Sequence, residues 1–136
     1  MRTILYSLIV LAISVGIISC QKQNPDIAKL TKLVEEINAT PDRELANGTI
    51  LSKCEYNPTD SLFTYRIKVV DNRFDNYDAD SVKFALAKEV QSPSMTKLVK
   101  VLVRNSISLQ YVYSTSKAEL TILFTPEEMQ ESKVSN

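Results

Sequence analysis

From Phe63 to Val69 the chain alternates without interruption. Phe63, Tyr65, Ile67 and Val69 are apolar or aromatic, and Thr64, Arg66 and Lys68 between them are polar. Successive strand side chains point to opposite faces, so this stretch fits a sheet with one dry face and one wet face. A dry face needs a cover, so the rest of the chain has to supply further strands and a layer of helices.

The neighbouring sequence supplies both. Thr49 to Tyr56 reads as a strand with Ile50, Cys54 and Tyr56 on one face and Lys53 and Glu55 on the other. Asn57-Pro58-Thr59-Asp60 is turn chemistry that joins it to the first stretch. Ser106 to Tyr113 places Ile107, Leu109, Tyr111 and Tyr113 inward. Thr115-Ser116-Lys117 turns the chain, and Ala118 to Phe124 follows with Leu120, Ile122 and Phe124 inward.

Helical spacing fills the remainder. Asn24-Pro25 is an N-cap followed by a first-turn proline, and Ile27, Leu30, Val34 and Ile37 recur on one face before Pro41. Thr40 to Asn47 is a polar connector carrying Leu45, with room for a helical turn, and Asn47-Gly48 is a turn. Asp78 or Asp80 caps a second helix to about Val90, with Val82, Leu86 and Val90 inward. Ser92-Pro93 breaks it and opens a third, with Ser92 as N-cap and Met95, Leu98, Val99 and Leu102 as its buried stripe. Thr125-Pro126-Glu127-Glu128 has the form of a capping box, with Thr at the N-cap and Glu at N3. The expected class is therefore α+β: two layers, a four-stranded antiparallel sheet with helices on one face, in the order α-β-β-α-α-β-β-α. The inward faces also correspond at a constant offset: Ile50 with Ile107, Tyr56 with Tyr113, Phe63 with Leu120, Tyr65 with Ile122, and Ile67 with Phe124. Two α-β-β units made by duplication, or two independent hairpins of similar pattern, both give this correspondence.

The N-terminal segment sets the expected location. Ile4 to Ile18 is an apolar run after Arg2, of about 15 residues, the length of a signal-peptide core and short of the ~20 needed to cross a bilayer. It ends in Ile17-Ile18-Ser19-Cys20, and the composition turns polar at once with Gln21-Lys22-Gln23-Asn24. The aliphatic Ile17 three residues before a cysteine and the small Ser19 directly before it resemble the lipobox of bacterial lipoproteins. That resemblance implies a signal peptide over 1–19, removal of the leader before Cys20, and acylation of Cys20 on its sulfur and new amino group, palmitate among the chains. Two or more acyl chains make a stable anchor where one does not. Residues 20–25 then form the lipidated cysteine and tether, 26–131 a single domain, and 132–136 a flexible tail. Gln21 stands where an aspartate favours inner-membrane retention in the best-known sorting rule, so the resemblance implies the outer membrane, on its periplasmic face. The end of the first helix at Asn38 and Pro41, the stretch Phe63-Thr64-Tyr65, the run Ile107 to Tyr113 and the helical start at Thr125 also resemble a loose set of small, uncharacterised bacterial lipoproteins and secreted proteins with α-β-β-α-β-β order. That likeness implies a fold and no catalytic residue.

Composition narrows the chemistry. The 136 residues balance 16 basic against 16 acidic groups, and no basic block follows the leader, so nucleic acid is not expected as a partner. There is no histidine, which removes the commonest general base and histidine-ligated zinc. With Cys20 acylated, Cys54 is the sole thiol, and neither an intrachain disulfide nor a cysteine metal site can form. Gly48 is the only glycine outside the leader, so there is no glycine-rich phosphate loop. No cofactor and no metal are expected. Asp71, Asp75, Asp78 and Asp80 lack the glycine and glutamate of an EF-hand loop and read as a solvated loop with a helix cap. Cys54 reads as a small packed hydrophobe.

Tyr56, Tyr65, Tyr111 and Tyr113 either pack under the helices or line a groove, and Tyr111, Tyr113 and Leu98 are the candidate ligand-binding set between helices and sheet. Lys97, Lys100 and Arg104 share a helix face that can meet solvent or an anionic lipid surface. Lys53, Glu55, Arg66 and Lys68 make the wet face a candidate protein-binding surface. The resulting expectation is a membrane-anchored protein without enzymatic activity, binding an envelope protein. A periplasmic small-ligand carrier, and an inhibitor or immunity lipoprotein against a foreign enzyme or toxin, are the alternatives.

Overall fold

The computed structural model describes residues 24–45, 48–70 and 77–134. The expected signal peptide, the lipidation site Cys20 and the tether up to Gln23 lie outside the described residues, as do Asn47 and the loop residues Asp71 and Asp75.

The chain forms α1 (Pro25–Ala39), β1 (Arg43–Glu44), β2 (Thr49–Asn57), β3 (Leu62–Val69), α2 (Ala79–Val90), a short 3-10 turn (Pro93–Met95), α3 (Thr96–Arg104), β4 (Ser108–Ser114), β5 (Glu119–Phe124) and α4 (Pro126–Val134). The fold is α+β. Its helix starts are set by local side chains. Asn24 caps α1 by accepting from the Asp26 amide, and Asp78 caps α2 by accepting from the Ser81 amide. The Thr125 and Glu128 side chains each accept from the other's backbone N–H at the start of α4, a reciprocal capping box. That last helix extends to Val134, into the stretch expected to be tail.

The sheet differs from expectation in two ways. It has five strands, ordered β1-β2-β3-β4-β5, because residues 43–44 in the expected polar connector pair with β2. It is also mixed: β2–β3 and β4–β5 are antiparallel hairpins, but β3 and β4, adjacent at the centre, run parallel. The reason is the connection between them. Strands joined by a tight turn must be antiparallel, whereas a long crossover through α2 and α3 carries the chain back to the end where β3 began. The parallel centre also decides between the two readings of the hairpin correspondence. The hairpins do match in register, Cys54 opposite Tyr65 and Tyr111 opposite Ile122. Yet both step across the sheet in the same direction while their first strands point opposite ways. No rotation that keeps the apolar face toward the helices superimposes them, so they are two similar hairpins and not a rigid repeat.

The core lies between the helices and one sheet face. Phe63, Leu102 and Leu109 are fully buried, with Leu30, Val99, Ile107, Ile122 and Met129 beside them. Truncating a ring such as Phe63 to alanine in a core of this kind costs about 3–5 kcal/mol. One inward residue was misassigned by strict alternation. A register shift between Leu51 and Lys53 pairs Leu51 with Ile67 and Ile50 with Lys68, so Leu51, not Ile50, joins the core. The Ser52 hydroxyl donates to the Arg66 carbonyl across this irregularity at 3.1 Å.

Candidate functional site: a tyrosine-floored cleft

The strand registers arrange the inner face in rows. Tyr56, Phe63, Leu109 and Phe124 form one row; Cys54, Tyr65, Tyr111 and Ile122 the next; Arg43, Leu51, Ile67, Tyr113 and Leu120 a third. The first row is closed over by helices and packed. The third is not. Over it opens a cleft of about 1000 Å³, walled by Ile37 at the C-terminal end of α1, by Val82, Ala85, Leu86 and Glu89 of α2, and by Met95. That volume is at the top of the range for sites that enclose a small organic molecule, and the walls are mainly apolar with a few polar groups.

Tyr65, Tyr111 and Tyr113 make the floor. Tyr65 and Tyr111 stack across the strands at 5.5 Å between ring centres, and Tyr111 and Tyr113 stack along β4 at 6.4 Å. Edge-to-face contacts with Phe63 and Phe124 fix Tyr65 and Tyr111 against the closed row. None of the three hydroxyls bonds to a described residue, and no described buried side-chain oxygen lacks a partner, so all three reach the solvent of the cleft. Burial pushes the ionisation of all three upward, Tyr113 to about 12, and the Glu89 carboxylate adds to the effect in each case. They stay neutral hydroxyls, able both to donate and to accept.

Tyr111 and Tyr113 were expected to face a groove, and both line this one. Leu98, the third member of the expected set, does not. It sits on α3, which packs against β4 and α4 at the closed end of the sheet, and its side chain joins the core. Tyr56 likewise belongs to the closed row. Alternation could not reveal Arg43, Tyr77 and Glu89, which also line the cleft. The side chains of Arg43 and Glu89 make no hydrogen bond or ion pair with a described residue.

The other candidates are occupied with the fold. The Cys54 thiol is 1% exposed, and burial pushes it up to about 12, which leaves it protonated and unreactive. On the outer face Glu55 accepts from Arg66 at 3.0 Å and lies 3.3 Å from Lys53, and Lys68 reaches Asp42 at 3.8 Å. Arg104 donates twice to Asp26, each bond 2.7 Å, which ties the end of α3 to the start of α1. Among the described residues no three of the types His, Cys, Asp and Glu gather in a metal-holding group, and no helix is long and apolar enough to cross a membrane.

No family model and no curated protein matches this chain. One solved structure shares its fold, the crystal structure of a Pseudomonas aeruginosa protein inferred to be secreted. It superimposes with a TM-score of 0.59 over 75% of this chain and 90% of that one, at 15% identity.

Proposed function

We propose that this protein is a lipid-anchored envelope protein that binds a small molecule in the tyrosine-floored cleft and carries out no bond-making chemistry. The cleft is the observation that carries this reading. Beside one row of the inner sheet face, whose Leu51 and Ile67 are themselves buried, lies a space that is large and mainly apolar, furnished with three hydroxyls that have no partner among the described residues. The sequence alone favoured a protein partner on the outer face of the sheet. The charges there are already matched, Glu55 with Arg66 across the strands and with Lys53 along its own strand, which leaves that face less to offer than the cleft. The lipobox-like Ile17 to Cys20 supports the anchor, and secretion inferred for the Pseudomonas protein fits a location outside the cytoplasm.

Native mass spectrometry of the full-length protein, purified from its own host in mild detergent, tests both parts. The expected spectrum shows a chain beginning at an acylated Cys20, with a releasable mass below about 1000 Da. In the variant Ala85→Trp, which fills the cleft from an exposed position on α2, that mass is absent and the thermal midpoint is unchanged. A clean, unliganded wild-type mass rejects ligand binding. An unmodified N-terminus rejects the anchor.

A further inference from the structure

Three groups in the cleft bear on what it holds. Glu89 projects into it from α2 with no partner among the described residues. The Tyr65, Tyr111 and Tyr113 hydroxyls, also unpartnered, lie close enough to Glu89 for its charge to oppose their ionisation. Arg43, the basic group of the lining, sits at the far edge. Along the row Arg43, Leu51, Ile67 and Tyr113 it is three strands from Tyr113, about 14 Å between backbones, and two strands from Tyr65 on β3. It does not figure among the influences on any of the three rings. The apolar side chains Leu51 and Ile67 fill the floor between these ends.

The tyrosine end is therefore electron-rich. It presents the Glu89 carboxylate, with Glu119 of β5 also in the lining, three phenolic oxygens with free lone pairs, and the negative faces of aromatic rings. All of these attract positive charge. An anion placed there would face the Glu89 carboxylate, and the repulsion disfavours it. A purely apolar molecule would cover the tyrosine hydroxyls without pairing them, which is unfavourable. We infer that the cleft recognises a small molecule with an apolar or aromatic body and one positively charged nitrogen, the nitrogen seated between Glu89 and the hydroxyls of Tyr65, Tyr111 and Tyr113, and the body lying over Leu51 and Ile67. This rests on the ligand-binding reading above and names the class of ligand.

The test uses three probes of one shape: phenethylamine, phenethyl alcohol and hydrocinnamate, which carry a positive, a neutral and a negative group. The protein has six tyrosines and no tryptophan, so its intrinsic emission reports on these rings. Each probe is titrated into the full-length chain held in zwitterionic nanodiscs, with empty nanodiscs as blank. Phenethylamine should bind at least about tenfold more tightly than the other two. In Glu89→Gln, a change at an exposed position, that preference should collapse to within about threefold while phenethyl alcohol binds as before. An unchanged thermal midpoint confirms that the variant is folded. Equal binding of all three probes overturns the assignment of charge and leaves the cleft as a site for neutral molecules. Tighter binding of hydrocinnamate, lost in Arg43→Gln, overturns it in favour of an anion at the other end. Binding of none of the three overturns this inference, and the retained mass described above then decides separately whether the cleft holds a ligand at all.

Discussion

The side-chain amide of Asn38 meets the main chain of Cys54 at two points: its Nδ2 donates to the Cys54 carbonyl and its Oδ1 accepts from the Cys54 amide, both at 2.9 Å. Cys54 lies on β2 beyond the reach of the two-residue β1, which pairs only with Leu51 and Ile50. Without Asn38 an edge donor and acceptor would be left partly buried and unpaired. Asn38→Ala should therefore lower unfolding free energy by about 1–3 kcal/mol in urea titration, and Asn38→Asp should not rescue it, because a carboxylate would face the Cys54 carbonyl. An unchanged denaturation midpoint in Asn38→Ala would show that water replaces the amide at no loss. In the sequence Asn38 read only as a residue near the end of a helix. Its partner is sixteen positions away, and no local pattern names it. Ile50 shows the same limit. Alternation predicted its face correctly for a regular strand and wrongly for one with a bulge.

Helix ends were the most legible elements, since a cap is written within four residues of itself. Asn24, Asp78 and the Thr125–Glu128 pair all function where local chemistry placed them, whereas the Ser92 side chain makes no capping bond and meets the Ser94 hydroxyl instead. What joins one helix to another was not legible. Asp26 in the first turn of α1 accepts two bonds from Arg104 and one from Asn105 at the end of α3, and Asn24 donates to Asn105. The Arg104 hydrogen bonds, then those from Asn105, hold the Asp26 carboxyl at about 2, below its ordinary 3.8. The folded-state value is depressed, so the stabilisation is fully present above about pH 4 and is lost as pH falls toward about 2. The thermal midpoint of the wild type should fall through that window, and Asp26→Asn should fall less steeply from a lower plateau. Parallel acid limbs for the two proteins would remove the linkage. Glu55 and Glu128, also held below their ordinary range, keep the remaining slope in both.

Across the whole molecule, the sheet was legible as a surface and not as a path. The period of two in β3, β4 and β5 fixed which side chains face the helices, but it carries no information on strand direction. The direction of β4 was encoded instead in the two-helix connection before it, a crossover of the kind that parallel neighbours require. The cleft was half legible for the same reason. Tyr111 and Tyr113 had to face inward, but whether inward means packed or open depends on where α2 and α3 come to rest. With β3 and β4 flanked on both sides, their amides should exchange with deuterium most slowly of all, and those of β1 and the outer edge of β5 fastest. Comparable rates in β1 and β3 would contradict a single cooperative sheet.

The clasp between Asn24, Asp26 and the end of α3 also fixes an orientation. The chain emerges from the domain at the start of α1, and Ile37, which borders the cleft, is about 20 Å away along the same helix axis. If lipid on Cys20 tethers the protein, the clasped end of α1 is the one nearer the bilayer along the chain, and the Ile37 border of the cleft stands a helix length beyond it. A ligand of the class proposed would then be met at a distance from the lipid surface.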